Sequence, residues 1–211
     1  MIFESHAHYD DEAFDEDREE LLNSMRENGI EYVVNVCAAA DGLEKTLELR
    51  EKYPFVYGAV GVHPDDAGKM NEEILQRIQE YCRLDKVVAV GEIGLDYYWD
   101  KESHEIQKKW FEAQMEVARS ERLPFIIHSR EAAQDTLTMM KGLRAAEMSG
   151  GVIHCFSYSK EMAKEYLDMG LYIGIGGVVT FKNAKKLKEV AEYAPLEQIL
   201  LETDCPYLAP V

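Results

Sequence analysis

Short runs rich in Val, Ile and aromatic residues alternate along the chain with longer stretches whose apolar residues recur at three- and four-residue spacing. The short runs suit strands buried on both faces, and the longer stretches suit amphipathic helices packed against them. Strands are predicted at 1–5, 31–37, 55–62, 87–92, 124–128, 151–155, 171–175 and 198–202, and helices at 17–28, 42–52, 71–83, 103–121, 131–147, 160–168 and 183–193. In the fourth helix Ile106, Trp110, Phe111, Gln114, Val117 and Ala118 fall on one face, which reads as core. Eight strands linked by seven helical crossovers give repeated βα units with parallel pairing. With no linker, composition shift or close repeat across 211 residues, one domain over 1–211 is expected, of the α/β class. Its architecture is read as a TIM (β/α) barrel rather than an open doubly wound sheet. Eightfold barrels usually take about 250 residues. No eighth helix follows the last strand here, so the strands beside that position are expected to expose an apolar stripe unless a partner covers it.

Composition narrows the class. Hydrophobic residues make up 46% and charged residues 30%, with 6 Pro and 14 Gly spread along the chain, which excludes a disordered or low-complexity segment. No basic start leads into a long apolar run, and no stretch approaches a membrane span, so a cytoplasmic protein without membrane association is expected. Cys37, Cys82, Cys155 and Cys205 lack paired spacing and are read as reduced, mostly buried thiols. Forty acidic against 23 basic residues give a net charge of −17. That excludes a protein that grips a polyanion through a basic face. A nucleic-acid substrate would need another source of positive charge, and bound divalent cations would supply one.

Candidate chemistry sits at the strand ends. His6 and His8, two apart in an extended segment, point the same way and can reach one ion, although a terminal surface pair reads the same in isolation. Glu92 ends the fourth strand, His128 the fifth and His154 the sixth, while Asp204 lies just past the eighth. In a β/α barrel these points converge on one face, where active sites form. Each residue singly could be a hydrogen-bonded core histidine, a loop carboxylate or a cap; packing does not explain why all six recur at that position. The mixed nitrogen and oxygen set suits Zn²⁺, Mn²⁺, Fe²⁺ or Ni²⁺, and its carboxylates also accept Mg²⁺. Glu92, whose strand lies between the first and the fifth and sixth, is placed to bridge two ions, so two divalent cations are expected.

These residues fall in the segments SHAH (5–8), GVHP (61–64), GEIGLDYY (91–98), LPFIIHSREA (123–132), GVIHCFS (151–157) and LLETDCPYLAP (200–210). In order and spacing they resemble those of the TatD-family deoxyribonucleases, across the whole chain. The resemblance implies a TIM barrel of the amidohydrolase superfamily and metal-dependent phosphodiester hydrolysis of DNA. It also implies metal ligands at His6, His8, Glu92, His128, His154 and Asp204. Two positions depart from the family pattern: Glu4 stands where an Asp is usual, and the chain ends where the family continues with a basic loop and a final helix.

The expected mechanism is attack on the scissile diester by a metal-activated hydroxide, with Glu92 and Asp204 as the catalytic carboxylates and Asp204 doubling as general base. DNA is the expected substrate, taken as a single strand from an end, with RNA left open and no obligate protein partner predicted. His63 in GVHP would donate to a phosphate oxygen or protonate the leaving group, or else order the loop beside Pro64. Arg130 would contact a phosphate, or else form a surface ion pair. Asp96, Tyr97, Tyr98 and Trp99 would offer stacking faces to unpaired bases or line the rim, and His104 is expected at the solvent. Two alternatives stand beside this reading: a small-molecule amidohydrolase using the same cluster, and a non-catalytic metal-binding remnant.

Overall fold

A computed structural model of the chain describes residues 1–99 and 101–211. Its strands are β1 (Ile2–Ala7), β2 (Ile30–Val36), β3 (Val56–Val60), β4 (Val87–Asp96), β5 (Phe125–Arg130), β6 (Gly151–Ile153), β7 (Tyr172–Ile175) and β8 (Ile199–Leu201). Each pairs in parallel with the next in chain order. Between them run α1 (Arg18–Ser24), α2 (Leu43–Lys52), α3 (Glu72–Tyr81), α4 (His104–Glu121), α5 (Ala133–Gly142), α6 (Lys160–Asp168) and α7 (Lys185–Tyr193). Every predicted strand and helix has its counterpart, and the architecture is the expected α/β barrel of eight parallel strands.

The barrel closes mainly at the end that carries the predicted ligands. Asp204 N donates to the His6 carbonyl at 3.0 Å and His8 N to the Cys205 carbonyl at 2.9 Å. Below these, the Ser5 hydroxyl donates to the Leu201 carbonyl at 2.7 Å. The buried Glu4 carboxylate accepts from Thr203 N at 3.0 Å and from His6 N at 3.2 Å. Glu4 is therefore a strut between β1 and the segment after β8, and its extra methylene relative to Asp is accommodated.

Helix α4 fixes two further strand ends. Ser103 caps it, accepting from Ile106 N, and Arg122 ends it in a left-handed conformation, where the chain leaves the helix axis. Its inner face carries Trp110, Phe111, Met115 and Ala118 into the main core. That face also carries two buried glutamines. Gln114 bonds both the N–H and the carbonyl of Val62, beside His63. Gln107 does the same for Asp96 at the end of β4. Satisfied on both sides, these amides hold polar backbone that would otherwise be costly to bury.

Boundaries differ from the periodicity where turn geometry intervenes. The first helix spans only Arg18–Ser24, and the segment after it turns to Gly29 at φ +81°. The stretch read as one helix over 131–147 is α5 followed by a short 3₁₀ turn at Ala145–Glu147, separated at Arg144 by φ +53°. Strand β1 runs on through His6, and β4 runs past Glu92 to Asp96. Cys37 and Cys82 are buried, but Cys155 and Cys205 are only half-buried, because both lie in the turns beside the cluster; all four are free thiols. The outward side chains of β8 and β1 form the expected apolar stripe: Leu201 is 70% exposed and Phe3 47%. No helix of the described residues is long and apolar enough to cross a membrane.

Candidate metal centre

Inside the top of the barrel, His6 lies in β1 and His8 just past it, and their Nε2 atoms are 3.2 Å apart. Asp204 Oδ1 approaches His8 Nε2 at 3.2 Å and His154 Nε2 at 3.4 Å. Glu92 sits in the middle. Its Oε2 faces His6 Nε2 at 3.4 Å and His8 Nε2 at 3.7 Å. Its Oε1 faces His128 Nδ1 at 2.9 Å, with His63 Nε2 and His154 Nε2 each at 3.8 Å. One carboxylate thus opens its two oxygens toward two different groups of imidazole nitrogens.

The outward nitrogens of His8, His154 and His128 are occupied. His8 Nδ1 donates to the Val36 carbonyl at 2.7 Å. His154 Nδ1 donates to Glu202 Oε2 at 3.1 Å, and Glu202 Oε1 accepts from Cys155 N at 2.6 Å. His128 Nε2 donates to Asp96 Oδ2 at 2.9 Å. Such contacts fix ring orientation and leave the inward nitrogen free to serve as a ligand. His6 Nδ1 is buried without a partner among the described residues, and that ring instead stacks on His154 with centroids 3.5 Å apart.

Charge in this cluster is out of balance without a cation. Glu92, Asp96 and Glu202 are nearly inaccessible, and among the described residues no Lys or Arg pairs with Glu92 or Asp204. With no ion bound, protons do the balancing. Burial drives His6 down to about 4, and the neighbouring His154 adds to it. Burial also pushes His128 down, but hydrogen bonds to Asp96 and Glu92 overcome this and hold it up at about 9. In His154 burial is likewise overcome, by Glu202 and Glu92, and its pKa lies well above the ordinary value. Glu92 is held well below the carboxylate range by His154, His128 and His6 against its burial. Two imidazole nitrogens at 3.2 Å with carboxylate oxygens on either side form a donor set that fits a divalent cation in place of those protons.

A family model described as TatD related DNase matches residues 3–211. The chain belongs to the TatD family. The metal-dependent hydrolase YabD of Bacillus subtilis (strain 168) is 45% identical to this TatD-family chain over 210 residues, covering 100% of this chain and 82% of its own length. The 3'-5' ssDNA/RNA exonuclease TatD of Rahnella sp. (strain Y9602) is 31% identical over 211 residues, covering 99% and 80%. Among solved structures, the TatD homologue YjjV of Escherichia coli K12 superposes with a TM-score of 0.92 at 32% identity, over 100% of this chain and 81% of that one. The protein is a metal-dependent hydrolase of this family.

The residues singled out in the sequence fall in a cluster and a rim around it. His6, His8, Glu92, His128, His154 and Asp204 meet in the cluster described above. His63 joins it rather than standing apart, its ring edge-on to His128 with centroids 4.2 Å apart. Arg130 lies outside, at the end of β5, its guanidinium 3.9 Å above the Tyr98 ring and forming none of the described ion pairs. His104 is exposed, with one face stacked on Tyr97. Glu202 was not read from the sequence as a site residue, and Asp96 was read only as a stacking or rim residue, not as a partner of His128. Glu202 stands two before Asp204, the same period that pairs His6 with His8, and that signal would have found it. Asp96 stands four after Glu92 on the same face of β4, hidden because the strand was taken to stop at Glu92.

Proposed function

We propose that this metal-dependent hydrolase is a nuclease that cleaves phosphodiester bonds of single-stranded DNA, acting from an end, with Glu92 shared between two divalent cations. The observation that carries the reading is the Glu92 carboxylate, each oxygen turned to its own set of histidines. Its support from relatives is the name borne by the Rahnella protein, which makes single-stranded RNA a second candidate substrate. His6, His8 and Asp204 would hold one ion, His128 and His154 the other. Bound there, Mg²⁺, Mn²⁺ or Zn²⁺ would lower the pKa of water and neutralise the phosphate oxygens.

The protein's own groups then divide the remaining work. Asp204, kept ionised by His154 and His8 against its burial, accepts the proton of the attacking water. His63 Nδ1 accepts from Asp65 N at 3.1 Å, so its proton sits on Nε2, turned toward Glu92. Burial, reinforced by His128, holds His63 down at about 3. It therefore acts as a neutral hydrogen-bond donor to a phosphate oxygen rather than as a general acid. Arg130 contacts a flanking phosphate from the rim.

Product analysis tests the substrate class. Metal-loaded protein is incubated with end-labelled single-stranded DNA and RNA and, separately, with a panel of amides, lactones and esters. Release of nucleotides from one end is expected; turnover confined to amides or lactones would replace the nuclease by a small-molecule amidohydrolase.

A further inference from the structure

The end of β4 carries two large aromatic side chains with no place in the core: Tyr98 is 53% exposed and Trp99 57%. They stand in an ordered turn. Asp96 Oδ1 accepts from both Tyr98 N and Trp99 N at 2.9 Å, while its Oδ2 holds His128 at 2.9 Å. A single buried carboxylate therefore ties the aromatic pair to an imidazole that faces Glu92 on its other side. Tyr98 and Trp99 meet edge to face, with centroids 5.0 Å apart at 83°. Arg130 covers the Tyr98 ring and reaches within 5.6 Å of the Trp99 centroid. Lys101, paired to Asp65 at 2.9 Å, lies 5.9 Å from the same indole.

A chain of net charge −17 that places an arginine and a lysine around an exposed indole beside its carboxylate and histidine cluster has built a surface of a particular kind. A flat aromatic face offers stacking to any π-system, and flanking cations suit an anionic backbone. We infer that Trp99, backed by Tyr98 and Arg130, is a nucleobase subsite, which stacks one unpaired base of the strand whose phosphate lies at the cluster. This rests on the nuclease reading and adds the part of the substrate it recognises. In duplex DNA both faces of a base are covered by its neighbours, so this contact selects single strands. It tolerates any base and favours purines, whose stacking face is larger.

Trp99 also reports on the contact, because the other tryptophan of the chain, Trp110, is buried. The test is a fluorescence titration of Mn²⁺-loaded protein with two nuclease-resistant phosphorothioate oligonucleotides of equal length, one an oligodeoxyadenylate and one abasic throughout. Cleavage of an ordinary oligodeoxyadenylate is followed in parallel. The expected result is quenching by the base-bearing strand, with affinity on the order of tenfold above the abasic strand. The variants lack this fluorophore, so their affinity is read by the anisotropy of the same strands carrying a 5′ fluorescein: Trp99→Ala brings it down to the abasic level, and Trp99→Phe restores most of it. Equal affinity for both strands, with Trp99 unquenched and DNA still cleaved, would overturn the subsite and leave the nuclease standing. Failure both to bind and to cleave DNA would overturn the two together.

Discussion

His154 and His128 each rest on a carboxylate on the side away from Glu92, and those supports set how well the inward nitrogens can serve as ligands. Glu202 accepts two hydrogen bonds at once, from His154 Nδ1 and Cys155 N. Glu202→Gln keeps the shape but leaves one oxygen for two donors. A loss of about 10–100-fold in metal affinity is expected, measured by calorimetric titration of the stripped protein, with the fold intact by circular dichroism. An unchanged affinity would show that His154 needs no support. The protonation of His128 gives a second check. Its pKa is raised from 6.5 to about 9, so its contribution to the stability of the ion-free protein is fully present below 6.5 and is lost as pH rises through about 9. Binding through Nδ1 displaces that proton, so metal affinity rises over the same window. Thermal melts of stripped wild type and His128→Gln across that range should converge at the alkaline end; a constant gap would contradict the assignment.

At the scale of elements, period decided what could be read. The alternation of apolar runs and amphipathic stretches was sufficient to place all eight strands and seven helices, because core burial follows spacing. Where a strand stops depends on partners that no local pattern reveals. The continuation of β4 to Asp96 is held by Gln107, in the first turn of α4, and by pairing with β5 as far as Arg130. His6, His8, Glu92, His128, His154 and Asp204 were legible because barrel topology gathers strand ends; the two-residue period pointed to Glu202 as well, whereas the role of Asp96 as a support of His128 follows only from its hydrogen bonds. Gly94 marks how tightly β4 and β5 approach. It has φ +144°, and a Cβ there would lie 2.0 Å from the His128 carbonyl oxygen. Gly94→Ala combines strained backbone with overpacking, each costing about 1–3 kcal/mol, so a marked fall in Tm is expected, accompanied by weaker metal binding as His128 shifts. A neutral Gly94→Ala would mean the two strands can part without cost.

For the molecule as a whole, charge is the governing quantity. With a net charge of −17 the protein as a whole repels a polyanion, and Glu92 and Asp204 pair only with histidines among the described residues. DNA binding and cleavage should therefore both depend on the ions. The most direct measurement is cleavage of end-labelled single-stranded DNA by metal-stripped protein, before and after Mg²⁺, Mn²⁺ or Zn²⁺ is restored, with Glu92→Ala alongside. The expected result is no cleavage when stripped, recovery with at least one ion, and a loss on the order of a thousandfold or more in Glu92→Ala. Cleavage that persists without metal, or that survives in a folded Glu92→Ala, would contradict the assignment of this cluster as the hydrolytic centre.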